Sequence, residues 1–551
     1  MLALSCLCLF AQLAGAQTLP PRPNILLLMA EDMSGRVGAF GDSVAVTPHL
    51  DTLAAQGVRY TNTFTTAGVC APSRAAHILG MHQISTGTQH MRSSTRPEGS
   101  YYSVPPADAK AYPELLRAAG YYTYTDHKLD YQFSGVFPHS GPSTIWDLEG
   151  GAASDWDKRA PGQPFFGFIS FMVTHESGVF PPLGNMPNSA THLLMQLMRW
   201  YSLDTPVKAV VRPQDVVVPP YYPDTRLVRA DMARHYNNIA YMDEEVGAIL
   251  AQLEEAGLAD STIVIWTTDH GDGLPRAKRD LFDSGIKVPM IIRWPAAYFP
   301  KGRKAGDVEE RLISFVDLAP TILSLAGVPV PANMHGRDFR KKDAEPNEYI
   351  YASRDRIDEV MDRQRAVRDA RYKYIRSWYP DVPEGTDLAF RDNSDMVRQM
   401  RVMYDAGQLN ALQRQWYEPP GAERLFDLAV DPFEVQDVSD DPQYRQVLRR
   451  MRGAMDLWLT RVGDWSDEPE FEMVARFELH GKRRVTPAPT LLFSGGSLVI
   501  SPAAEGHSLE YRVDDGDWQL YTGPVSVKES SAIEARAVRY GWEESEIVSG
   551  R

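Results

Sequence analysis

The sequence predicts an α/β fold with a mainly parallel central sheet, followed by a smaller α+β C-terminal subdomain and an appended β-sandwich. Three observations carry this reading. Continuous apolar runs that end in polar pairs alternate with helix-like stretches closed by glycine, as expected for a parallel sheet covered on both faces. Past about Asn347 the segments become shorter and more charged. From about Val485 short alternating strands are separated by turn signals such as Asp515-Gly516 and Gly523-Pro524. The expected boundaries are 22–346, 347–470 and 485–551.

Taken in order, Met1 to Ala16 is an apolar leader without a charged side chain that ends Ala14-Gly15-Ala16, a small-residue cleavage pattern. It is too short to span a bilayer, and no later segment reads as a membrane span. The expectation is a secreted or periplasmic protein after cleavage near Ala16. Asn24 to Ala30 reads as a buried parallel strand ending in Glu31-Asp32, at the strand end where open α/β sheets place their ligands. Pro48 to Gln56 reads as a helix stopped by Gly57, and a second helix begins at Cys70. Tyr112 to Ala119 is a helix, Tyr121 to Thr125 a strand, and Phe165 to Met172 a strand leading to His175. A long helix from about Arg229 to Ala256 puts Met232, Tyr236, Ile239, Val246, Leu250 and Leu253 on one face. Thr262 to Thr267 is the next strand and delivers Asp269-His270; Glu309 to Ala326 holds another helix. Leu425 to Leu428 and a helix from Tyr444 to Val462 mark the α+β unit, and Ser508 to Val513 and Ile533 to Val538 are sandwich strands. In the sandwich, Trp518 is expected to be a core residue rather than a sugar platform.

Charge and cysteine usage narrow the function. A formal net charge of −15 argues against a nucleic-acid partner and requires any anionic substrate to be drawn by a local cationic pocket. Of three cysteines, Cys6 and Cys8 lie in the leader, which leaves Cys70 as the lone thiol of the mature chain. A lone cysteine is most often a small buried hydrophobe. Here it opens a helix as Cys70-Ala71-Pro72-Ser73-Arg74, with Pro72 in the first turn and Arg74 one turn along on the same face. A guanidinium beside a helix N-terminus favours an anion at position 70. Glu31-Asp32 and Asp269-His270, at the carboxyl ends of two predicted parallel strands, converge on one edge. Three carboxylates favour Ca²⁺ or Mg²⁺, of which Ca²⁺ is expected, while the histidine loosens the assignment and also admits a transition metal.

With these motifs in hand, the chain resembles the type I, formylglycine-dependent sulfatases of the alkaline-phosphatase-like superfamily. The resemblance runs from about Pro23 to Trp465. It takes in Pro23-Asn24-Ile25, Thr47-Pro48-His49-Leu50-Asp51, Cys70 to Arg74, Tyr241-Met242-Asp243 and Thr268-Asp269-His270-Gly271. Asp317-Leu318-Ala319-Pro320-Thr321, Leu425-Phe426-Asp427 and Asp431-Pro432 complete it. The motif order is most similar to the heparan N-sulfatase (sulfamidase) branch and related bacterial polysaccharide sulfatases.

The resemblance implies that a formylglycine-generating maturase oxidises Cys70, whose hydrate then attacks sulfur and shares an oxygen with Ca²⁺. It further implies that Arg74 holds the hydrate, that Lys128 and Lys278 contact sulfate, and that His175 protonates the leaving group. Asp130 stands where the family commonly has a histidine that helps expel sulfate, so the base is Asp130, His82 or His90; His90 is also a candidate substrate contact. Glu31-Asp32 replaces the more common Asp-Asp, and Asp269-His270 the more common Asp-Asn. The implied function is an exported sulfatase that cleaves sulfate esters or sulfamates on sugars, with a sulfated carbohydrate as substrate. A phosphoester or phosphonate hydrolase on the same fold, or a catalytically silent glycan-binding protein, is the alternative. The C-terminal tail resembles fibronectin-III-like modules of chitobiases and other glycan enzymes.

Overall fold

The computed structural model describes residues 22–550 apart from 94–95, 97–98, 341–345, 495 and 529, so the leader expected at 1–16 lies outside the described residues. Strands β1 (Asn24–Ala30), β2 (Val58–Phe64), β3 (Tyr122–Thr125), β4 (Phe165–Phe171), β5 (Thr262–Thr268), β6 (Lys287–Arg293), β7 (Val308–Glu309) and β8 (Ile313–Ser314) form one sheet. Their order is β3-β4-β1-β5-β6-β2-β7, with β8 also paired to β2. Pairings among β3, β4, β1 and β5 are parallel. Strand β6 runs antiparallel to both β5 and β2, which makes the sheet mixed rather than wholly parallel. Neither β2 nor β6 was expected from the sequence. Polar residues such as Thr61 and Asn62 break the apolar run in β2, and a register shift separates Tyr60 from Thr63.

The helices that cover this sheet are α1 (Pro48–Gln56), α2 (Cys70–Leu79) and α3 (Tyr112–Ala118), together with α5 (Arg226–Glu255) and a further helix at Leu318–Leu325, whereas α4 (Ala190–Ser202) packs by the turn Glu176–Gly178. Alternate residues of β1 enter opposite cores, as the two-residue period of a strand requires. Ile25, Leu27 and Met29 pack with Ile78 of α2, Tyr112 and Leu116 of α3, and Ile322. Leu26, Leu28 and Ala30 pack with Leu50 and Leu53 of α1 and with Ile239, Met242 and Val246 of α5. Each fully buried Leu or Ile contributes about 1.5–3 kcal/mol, so this double layer fixes the strand ends from which the site projects. Helix α4 was missed; its apolar residues Leu193, Leu194, Leu197, Met198, Trp200 and Tyr201 share one face, but that face is exposed, and the helix buries His192 and Gln196 instead.

An antiparallel sheet follows, with β9 (Ile350–Arg354), β10 (Gln364–Arg368), β11 (Tyr372–Ser377) and β12 (Glu423–Asp427) in the order β12-β11-β10-β9. The helix Arg445–Val462 covers it through Leu448, Met451 and Met455. The C-terminal strands form a three-stranded and a four-stranded sheet that enclose Leu498, Ile500, Leu509, Tyr511, Ile533, Ala535 and Ala537. Trp518 is not in that core. It is half-buried beneath the guanidinium groups of Arg536 and Arg512, 4.4 and 5.1 Å from its ring centroid, because its turn lies beyond the paired strands.

The sandwich is seated on α3. Glu114 accepts from the Ser508 hydroxyl at 2.5 Å and the Tyr540 hydroxyl at 2.8 Å, and Arg117 pairs with Glu510 at 3.2 Å. Tyr540 stacks on Phe133 with centroids 5.1 Å apart.

Candidate active site

Three chain segments meet at the carboxyl ends of β1 and β5. Glu31 and Asp32 follow β1, Asp269 and His270 follow β5, and Cys70 opens α2 behind an extended Val69. All five are buried. The Asp32 N–H donates to Asp269 Oδ1 at 3.0 Å, which ties the two strand ends together. Asp32 adopts φ +48°, a left-handed conformation uncommon for a residue with a side chain and characteristic of functional sites. Gly271 lets the chain turn away from His270: a side chain there would meet the Ser284 carbonyl at 1.8 Å.

Ligand atoms of Asp32, Cys70, Asp269 and His270 lie within 4.8 Å of one another, as do those of Glu31, Asp32, Cys70 and His175. Cys70 Sγ is 3.3 Å from His270 Nε2 and 3.7 Å from Asp32 Oδ1. His270 Nδ1 lies 3.0 Å from the Gly271 carbonyl, an arrangement that turns Nε2 toward the carboxylates. Nε2 sits 3.0 Å from Asp32 Oδ1, a contact between two acceptors unless a positive charge intervenes. Burial opposes that charge on the ring, but Asp269 and Asp32 outweigh it and hold His270 well above the usual histidine range. A divalent cation supplies the same charge, so the donor set of carboxylates and one imidazole fits a metal.

Cations surround the carboxylates. Arg74 pairs with Glu31 and reaches Asp269 Oδ2 at 3.4 Å and the Ser170 hydroxyl at 3.2 Å. Lys128 pairs with the other Glu31 oxygen. Glu31 thus faces two cations while one of its oxygens stays within 4.8 Å of ligand atoms of Asp32 and Cys70. Lys278 Nζ donates to Asp32 Oδ2 at 2.6 Å and lies 3.3 Å from His175 Nε2. Burial alone would raise the Asp32 carboxyl, but Lys278 and the histidines hold it well below the ordinary range. Burial and then the Lys278 charge pull His175 down to about 4, so its ring is neutral near pH 7. The sequence-predicted Arg74, Lys128, His175 and Lys278 are thus brought to one centre.

The other expected residues are placed differently. Asp130 receives a bidentate pair from Arg92, Nε to Oδ1 at 2.8 Å, and is 4.0 Å from Lys128 Nζ. Burial would raise its carboxyl, but Arg92 and then Lys128 bring it down to about 2, which makes it a poor proton acceptor at neutral pH. The His82 ring stacks on His335 at 5.6 Å and meets Trp458 edge-on at 5.2 Å, in a cluster beside Tyr351 and away from the carboxylate edge. His90 faces Glu470, Asp355 and Arg356, and burial lowers it below the usual range. Sequence reasoning missed Arg92, Glu176 and Arg279. Glu176 takes a bidentate pair from Arg279 at 2.6 and 2.7 Å, while its own N–H donates to Asp32 Oδ2 at 2.7 Å. Each lies within two residues of a singled-out position, and adjacency was the signal available.

A mainly parallel sheet that brings a cysteine on a helix N-terminus to a carboxylate edge, ringed by cations, is suited to holding an anionic group beside a metal. The comparisons with known proteins name the family. The Sulfatase family model matches residues 23–328, and the model for the C-terminal part of N-sulphoglucosamine sulphohydrolase matches 276–419. An ulvan-active sulfatase of Formosa agariphila is 38% identical over 559 residues, covering 96% of this chain and 91% of the relative. The N-sulphoglucosamine sulphohydrolase of Homo sapiens is 26% identical, covering 81% of this chain and 92% of the relative. A solved 2-O GAG sulfatase aligns with a TM-score of 0.57 and 19% identity, covering 81% of this chain and 94% of that one. The chain belongs to the sulfatase family, and it is a sulfatase.

Proposed function

We propose that this sulfatase is exported and removes sulfate esters or sulfamates from sugars of a sulfated polysaccharide, with Cys70 oxidised to formylglycine by a maturase and Ca²⁺ held by Asp32, Asp269, His270 and Glu31. One observation carries the reading: Cys70 stands at a helix N-terminus, within ligand distance of the carboxylate edge and ringed by Arg74, Lys128 and Lys278. The relatives support the substrate class, since one is named for ulvan and the other for N-sulphoglucosamine. The leader Met1 to Ala16 supports export.

When bound, Ca²⁺ supplies Lewis acidity at the sulfate oxygens and lowers the cost of gathering three carboxylates. Formylglycine supplies an oxygen nucleophile at position 70. The chain does the rest. Arg74, fixed between Glu31 and Asp269, orients the group at position 70. Lys128 and Lys278 neutralise the sulfate that enters, and charge-focused donors of this kind act most strongly in a buried site. His175 and Lys278, 3.3 Å apart, hold the proton that the leaving oxygen takes up. Arg92 and Lys128 fix Asp130 as a positioning residue, in place of its expected role as a base.

The test combines peptide mass spectrometry of position 70 from the native host with turnover on a panel of sulfated and phosphorylated glycans. An aldehyde or hydrate at 70 together with sulfate release supports the reading. A free thiol in fully active enzyme, or faster release of phosphate than of sulfate, contradicts it.

A further inference from the structure

Beside the catalytic centre lies a cavity of about 380 Å³ between α4, α5 and the segment after His175. Its walls include Phe180, Leu183 and Trp200, and Trp200 is 61% exposed at the edge. Two buried amides, Asn238 and Gln196, are among its lining residues, and each carries a buried polar atom without a hydrogen-bond partner, Nδ2 and Oε1 respectively. Neither assignment can be flipped. Asn238 Oδ1 accepts from Arg199 at 2.6 Å, and Gln196 Nε2 donates to the Pro181 carbonyl at 2.9 Å. Unsatisfied buried polar atoms are uncommon and call for a partner. An exposed aromatic plate, apolar walls and two amide side chains in one trough match a sugar ring, which has an apolar face and polar hydroxyls.

The cavity adjoins the site through Ser177. Ser177 lines it, and its hydroxyl is 2.9 Å from His175 Nδ1. Phe390 packs edge-on against His175 at 6.1 Å and against Phe180 at 5.4 Å. The trough therefore begins on the side of His175, where the leaving oxygen and its sugar are expected. No carboxylate pairs with Arg199 among the described residues; its guanidinium donates to the Val173 carbonyl at 2.9 Å and to Asn238.

We propose that this cavity is a subsite for the neighbouring sugar of the glycan chain, the ring next to the one that carries the scissile sulfate. The proposal rests on the carbohydrate reading above and adds that the enzyme is selective for chains over single sugars. Trp200→Ala, which removes the plate, and Ala209→Trp, which adds a ring at another lining residue, are made in the full-length enzyme. Tetrasaccharides cut from ulvan and from heparan sulfate, and the sulfated monosaccharides derived from them, serve as substrates. Both variants should lower kcat/KM about tenfold on the tetrasaccharide and leave the monosaccharide within twofold. Equal loss on both substrates, or on neither, overturns the subsite. The desulfated tetrasaccharides are also titrated calorimetrically into Cys70→Ala, with and without Trp200→Ala. Binding that disappears with Trp200→Ala supports the subsite, and absence of binding to Cys70→Ala overturns it. If no substrate is turned over by the parent enzyme, the functional reading fails while the calorimetry still decides the cavity.

Discussion

Buried ionic groups occur both at the catalytic edge and where the sandwich sits on α3, and they are satisfied in different ways. At the sandwich, Glu114 takes hydroxyls from Ser508, Tyr540 and Thr144, with Lys110 at 3.7 Å, so each carboxylate oxygen is closed by donors from both sides. At the catalytic edge the carboxylates crowd one another as well as their cations: the Asp32 N–H must bridge to Asp269, and His270 stands between Asp32 at 3.0 Å and Asp269 at 3.7 Å. Complementary pairs hold two bodies together. Gathered like charges hold a ligand, at some expense in stability. Substitutions at the two places should therefore fail in opposite ways.

The largest effect is expected at Cys70. Cys70→Ala removes the proposed nucleophile and should lower kcat by about 10⁴-fold or more, with the melting temperature within a few degrees of the parent. A variant that melts early would make Cys70 a packing residue and weaken the comparison. Next comes Asp269→Asn, which should lose metal and about 10²–10³-fold in kcat. Added Ca²⁺ should raise the melting temperature of the parent but not of this variant, because only a binding-competent native state gains from the ion. Full metal content in inactive Asp269→Asn would move Asp269 away from the ion. At the sandwich, Glu114→Ala leaves Lys110 without its buried partner and should cost about 3 kcal/mol in stability, with kcat/KM inside twofold. Urea unfolding and steady-state kinetics on one preparation read both quantities. Lost activity with unchanged stability would mean that the interface speaks to the site.

How much of this the sequence disclosed follows the range of the forces involved. Strands β1, β4 and β5 were legible because a run buried on both faces is apolar throughout, and the polar pairs that end β1 and β5 mark the ligand edge. Cys70, Arg74 and the metal pairs were legible for the same local reason, together with the family resemblance. Strand β2 was not, since its burial alternates and it earns its place by pairing with β6, far along the chain. The fate of Asp130 was equally hidden. Its pKa depends on Arg92, 38 residues away in sequence, and no local pattern announces that pair. The place of His82, beside His335 and Trp458, was not legible either, because proximity to Cys70 in sequence says little about position once α2 lies between them.

The smallest effect tests the boundary between the charged edge and the apolar core, which passes through α2. Arg74 faces the carboxylates, whereas His77 lies within a cage of Tyr112, Phe168 and Phe315, with ring centroids at 5.4, 5.7 and 5.9 Å. Both ring nitrogens are buried without a hydrogen-bond partner. Burial and then the Arg74 charge bring His77 down to about 3, so the native state holds it neutral while the unfolded chain protonates it near pH 6.5. The unfolded state thus binds the extra proton, and stability must fall as pH drops below 6.5 toward 3. At about pH 5.5 the loss from this one group is about 1.4 kcal/mol, and at about pH 7.5 it is close to zero. His77→Phe fills the same cage with a ring that does not titrate. Its stability relative to the parent should therefore improve by about 1.4 kcal/mol between those two pH values, with the other histidines cancelling in the difference. Urea unfolding of both proteins at the two pH values measures it. A difference that stays flat with pH would mean that His77 carries its proton in the folded protein, and the charged region would then extend a full turn deeper into α2 than Arg74.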